Sequence, residues 1–146
     1  MPSEDPSPRP FEELAGIFSA LPDEDERLHF LIDLGRRLPP LTGEDKCEAN
    51  LVRGCVSSVW LIFPPSNADD DKMRLRGGSD ALIVSGLVSL LLARYDGATP
   101  EEILATDPST FLTPLGLEGH LSPGRRNGLA AMVERVREQA RRLLAG

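Results

Sequence analysis

A chain of 146 residues with 40% hydrophobic content suits one globular domain built around a single core. Its formal charge of −7 argues against nucleic acid or an anionic membrane as the main partner, because both need clustered positive charge.

Residues 1–10 are proline-rich and acidic, with no apolar stretch, and read as a flexible arm rather than a signal peptide. The expected location is the cytoplasm, and the expected domain runs over 11–146. Phe11 to Leu21 predicts a short helix, and the acidic run Asp23 to Glu26 suits the start of a second. Leu28, Leu31, Ile32 and Gly35 keep helical spacing on one face, and Pro39-Pro40 ends that helix. Residues 41–50 form a polar lead-in.

Ser58 to Phe63 is β-branched and aromatic, and Met73-Arg74-Leu75-Arg76 alternates as a half-exposed strand does. Ser66 to Asp71 supplies a polar turn between them. After Gly77-Gly78, Ser79-Asp80 predicts a cap for a helix reaching Tyr95, apolar nearly all round and so placed at the centre of the core. Its apolar run, Ala81 to Ala93, is too short to span a bilayer. Thr99-Pro100-Glu101-Glu102 matches a capping box, and Asp107 to Leu117 predicts one more short helix. Ser122-Pro123 opens the last helix, in which Leu129, Met132, Val133, Val136, Ala140 and Leu143 recur at three- and four-residue intervals. On that helix Arg135, Arg137, Arg141 and Arg142 alternate with Glu134 and Glu138, the pattern of a solvated face.

The chemistry concentrates at Gly54-Cys55-Val56-Ser57-Ser58-Val59-Trp60. Glycine permits a backbone turn that exposes the next side chain, and the apolar residues beyond it anchor the segment as a strand. The bland alternative is a buried structural cysteine. A reactive thiol must be deprotonated or have its anion stabilised nearby. Cys47, between Lys46 and Glu48, has polar surroundings that predict exposure and an incidental role. The two cysteines form no CxxC, and with two histidines there is no recognisable ligand spacing, so neither metal nor cofactor is expected. Cys55 with His120 leaves open a thiol hydrolase, although His120 also suits a structural hydrogen bond before a helix start.

Asn50-Leu51-Val52-Arg53-Gly54-Cys55, followed by Ser57 and Val59-Trp60, resembles the signature of the SufE family, small bacterial proteins that accept sulfur from a cysteine desulfurase. Further segments follow the family order: Leu31 to Pro39, Gly78 to Gly86, Tyr95 to Pro100, and His120 to Leu129. The resemblance covers roughly Phe11 to Arg142. It departs from the commonest form at Val56 and Ser58, where glutamine is frequent.

The resemblance implies an α+β, SufE/NifU-like fold with an antiparallel sheet of about three strands, the third around Leu51 to Val56, packed with several helices. It also implies a role: Cys55 as persulfide carrier rather than as part of a self-sufficient enzyme, taking sulfur from a SufS-like or CsdA-like cysteine desulfurase, stimulating it, and delivering sulfur to a SufB-like iron–sulfur scaffold. Arg125 matches an arginine of the family and is expected to favour an anionic sulfur. Gly54, Ser57, Trp60, Asp80 and His120 are the expected supporting residues, with Trp60 a core anchor beneath the loop. A regulator that binds a desulfurase without carrying sulfur is the alternative role.

Overall fold

The computed structural model describes residues 10–55, 57–65, 71–117, 119 and 121–146. The arm up to residue 9, Val56, His120 and most of the turn expected from Ser66 to Asp71 lie outside the described residues. Those described form an α+β arrangement of five α-helices, three 3-10 turns and a two-stranded antiparallel sheet.

Helix α1, Phe11–Ala20, follows Pro10 and buries Phe11, Leu14 and Phe18, one stripe at three- and four-residue spacing. Helix α2, Glu24–Arg36, opens at Asp23, whose carboxylate accepts from the Asp25 N–H, with three acids in the first turn. It ends before Pro39, as expected.

Helix α3, Leu82–Tyr95, buries nine of its fourteen residues and packs against α2, α5 and the sheet, so it is the centre of the core. Close approach to α2 depends on glycine at both surfaces. A Cβ at Gly86 would stand 2.2 Å from the Leu31 carbonyl oxygen, and one at Gly35 would stand 2.6 Å from the Gly86 nitrogen. The expected cap is displaced. Asp80 is exposed, the cap position falls on Ala81, and Ser79 does the local bonding. Its hydroxyl accepts from the Ala81 N–H at 3.2 Å and donates to the Ser58 carbonyl at 2.7 Å. The entrance of α3 is thereby tied to the chain leaving the cysteine loop.

Strands β1, Val59–Ile62, and β2, Arg76–Ser79, pair antiparallel with Trp60 opposite Gly78 and Leu61 opposite Gly77. Strand β2 therefore starts where the predicted strand ended. Residues 73–75 are held elsewhere: the Met73 N–H donates to the Ala98 carbonyl at 2.8 Å, and the Leu75 N–H to the Asp96 carboxylate at 2.8 Å. Pairing begins at Arg76, opposite Ile62, and continues through the glycines, where a Cβ at Gly77 would meet the Trp60 carbonyl oxygen at 2.8 Å. The third strand reduces to one bridge, Leu51 with Trp60, and one bond from the Val52 N–H to the Val59 carbonyl at 2.8 Å. The ladder stops there because Gly54, at φ 93°, turns the chain away.

Helix α4, Pro100–Ala105, carries the predicted capping box in both directions, at 2.8 and 3.1 Å between Thr99 and Glu102. The single helix expected over Asp107 to Leu117 is instead two 3-10 turns, Pro108–Thr110 and Thr113–Leu115. Pro114 lacks the N–H a continuous helix would need, and Gly116 at φ 67° ends the second turn.

Helix α5, Pro123–Ala145, begins at Ser122, whose hydroxyl accepts from the Arg125 N–H at 3.2 Å. It buries Leu129, Met132, Val133, Val136 and Ala140, while Leu143 is exposed. The arginine run is not uniformly a solvated face. Arg141 and Arg142 pair with Glu134 and Glu138 at the surface. Arg137 donates to the carbonyls of Ile103, Leu104 and Thr106 at 3.1–3.4 Å, satisfying the end of α4.

Candidate functional site: the Cys55 loop on α5

The segment from residue 48 to 55 leaves a 3-10 turn, Glu48–Asn50, touches the sheet at Leu51 and Val52, and turns at Gly54 to present Cys55 to α5. Cys55 is half-buried and packs against the core. Its S–H donates to the Gly128 carbonyl at 3.5 Å, across 73 positions of sequence. The helix surface there has little side chain. A Cβ at Gly128 would lie 3.5 Å from the Cys55 sulfur, and one at Gly54 would lie 3.3 Å from the Ala131 Cβ.

Burial pushes the Cys55 thiol above its ordinary range. In this seat the residue is held as a protonated, sheltered thiol, not as a standing thiolate. Cys47 is exposed, as its neighbours led us to expect, and both cysteines are free.

Arg125 is exposed and lies three residues before Gly128 on α5, which puts the two on neighbouring turns of one helix face. Ser57 is half-buried at the exit of the loop. Trp60 is not beneath the loop in the core. Strand alternation sends Val59 and Leu61 inward and leaves Trp60 half-buried on the other face, where the Lys46 ammonium lies 5.6 Å from its ring centroid. Asp80 contributes its N–H to the Ser58 carbonyl at 3.4 Å, a backbone role that any non-proline residue could fill.

Three contributors escaped sequence reading: Gly128, Ala131 and Arg135. A glycine inside a strongly helical pattern was the available signal for the first. Arg135 donates to the Ala49 carbonyl at 2.7 Å and to the Leu51 carbonyl at 3.3 Å, holding the stem of the loop.

On another flank of α5 a groove of about 460 Å³ is lined by Pro108, Phe111, Leu112, Arg126, Leu129 and Val133, among others. Cys55 does not line it, so it has no part in the thiol's setting. Among the described residues no group of three or more His, Cys, Asp or Glu side chains is arranged to hold a metal ion. No described helix is long and apolar enough to cross a membrane.

Fold and site together define a small α+β protein that presents one half-buried thiol on a glycine turn. Residues 12–140 match the SufE family, described as an Fe-S metabolism associated domain. An uncharacterized SufE-like protein of Rhizobium etli is 40% identical over 131 residues, covering 89% of this chain and 88% of that one. A solution structure of a hypothetical protein from Thermus thermophilus superposes with a TM-score of 0.74 at 25% identity, covering 93% of this chain and 96% of that one. The chain belongs to the SufE family and to iron–sulfur metabolism.

Proposed function

We propose that this protein is a sulfur acceptor and carrier, taking sulfur from the persulfide of a cysteine desulfurase onto Cys55, stimulating that enzyme, and handing the sulfur to an iron–sulfur assembly scaffold in the cytoplasm. The observation that supports this reading most is the seat of Cys55. It is a thiol on a glycine turn, half-buried, and fastened to α5 by one weak S–H···O bond. Such a thiol is shielded from small thiols and oxidants at rest and is released at small cost when a partner binds.

Transfer requires Cys55 to lose its proton as the loop leaves the apolar seat. The Cys55 sulfur then attacks the terminal sulfur of the desulfurase persulfide. A new S–S bond forms on Cys55 while the bond to the desulfurase cysteine breaks, and that cysteine leaves as a thiolate and takes up a proton. Arg125, exposed on α5 one turn before Gly128, is the cation we assign to favouring the anionic sulfur in this step. The protein is then a transfer partner that depends on the desulfurase for turnover.

The test is incubation with candidate desulfurases and free cysteine, followed by mass spectrometry. We expect a mass increase of one sulfur on the Cys55 peptide, and none in Cys55→Ser. Stimulated alanine release without any sulfur on Cys55 would mean a regulator instead of a carrier.

A further inference from the structure

The segment 49–55 and the helix stretch 128–135 run side by side in opposite directions. Ala49 and Leu51 meet Arg135, Gly54 meets Ala131, and Cys55 meets Gly128. Residues 128, 131 and 135 follow three- and four-residue spacing, so these contacts form one stripe of α5.

The contacts are unequal in strength along that stripe. At the stem, a guanidinium makes two charge-assisted bonds to backbone carbonyls, one as short as 2.7 Å. At the tip there are a methyl group against a glycine and a thiol bond of 3.5 Å. Between them lie Arg53 and Gly54, both exposed, with Gly54 at φ 93°. A segment tied firmly at one end and lightly at the other opens from the light end.

We infer that Arg135 is a positioning residue that, with the bond of the Val52 N–H to the Val59 carbonyl, clamps the stem of the Cys55 loop, so that the loop pivots at Arg53 and Gly54 and releases Cys55 from the Gly128–Ala131 seat without detaching from the protein. This rests on the reading of Cys55 as the sulfur carrier. Arg135 itself touches no reacting atom. Its role is to keep the resting thiol shielded and to return it to the same seat after each excursion.

The experiment needs no desulfurase. The full-length protein is treated with limiting iodoacetamide, and the alkylation rates of Cys55 and exposed Cys47 are compared by peptide mass spectrometry. Losing the charge-assisted bonds should raise the Cys55-to-Cys47 rate ratio in Arg135→Ala by about tenfold. Arg135→Lys, which keeps a cation able to reach a carbonyl, should restore part of the shielding. The urea midpoint is measured on the same samples, and Arg137→Ala, which frees the end of α4 instead, serves as a control for general loosening. An unchanged ratio in Arg135→Ala, or an equal rise in Arg137→Ala, overturns the inference. Failure of the sulfur-carrier reading would be seen separately, as absence of sulfur on wild-type Cys55 after incubation with desulfurase.

Discussion

The sulfur of Cys55 lies 3.5 Å from the carbonyl oxygen of Gly128, a residue whose missing side chain leaves the helix surface open to it. This contact joins the loop to the last helix and sets the resting state of the thiol.

Gly54→Ala should disturb the loop twice over. An alanine at φ 93° is strained, at a cost of roughly 1–2 kcal/mol, and its Cβ would press on Ala131 at 3.3 Å. Urea denaturation gives the first effect. Measured in the Ala131→Gly background, which by itself costs about 1 kcal/mol of helix stability, the Gly54→Ala effect should lose the part due to crowding and keep the part due to backbone strain; no remaining loss in that background would show that φ is not the constraint.

The pH dependence of stability follows from the raised Cys55 thiol. A group whose folded value lies above its unfolded one binds more protons in the folded state. Its contribution is therefore fully present below the ordinary thiol value of about 8.5 and is lost as pH rises through the folded value. Denaturation of wild type and Cys55→Ser across the alkaline range should show a steeper decline for wild type. Parallel curves would mean that the thiol titrates alike in both states.

Gly86→Ala is expected to be the most damaging single methyl group in the molecule. Its Cβ would lie 2.2 Å from a backbone oxygen, which cannot rotate away, so α2 and α3 must separate. A loss of about 3 kcal/mol is expected, read from the denaturant midpoint. A loss below about 1 kcal/mol would contradict the close helix contact.

Arg125→Ala should separate chemistry from folding. Arg125 is exposed, and its backbone N–H bond to Ser122 survives the substitution, so stability should stay within about 0.5 kcal/mol of wild type. Sulfur loading of Cys55 by a desulfurase should fall all the same, while Cys47→Ser should load normally. Normal loading by Arg125→Ala would remove the arginine from the proposed transfer step.

Much of this protein is legible in its sequence because the deciding interactions are local. Helix starts at Asp23, Thr99 and Ser122 follow from side chains bonding amides two or three residues away, and these lie where the pattern put them. The centrality of α3 follows from its being apolar all round, and the turn at Gly54 from the one residue type that accepts a positive φ freely. The motif around Cys55 was enough to mark the family.

The rest was decided by contacts between residues far apart in the chain. Strand β2 slipped onto the glycine pair because the α3–α4 connection captured Met73 and Leu75. Trp60 faces outward because pairing assigned the inner face of β1 to Val59 and Leu61. Above all, the thiol's proton affinity is raised by its depth in the fold, in a seat against a helix residue 73 positions away. Sequence marks which cysteine is the candidate for sulfur transfer, since glycine and its neighbours are adjacent to it. Burial, and hence whether that cysteine waits as thiol or thiolate, is a property of the packed molecule, because desolvation depends on every surface that excludes water from the sulfur.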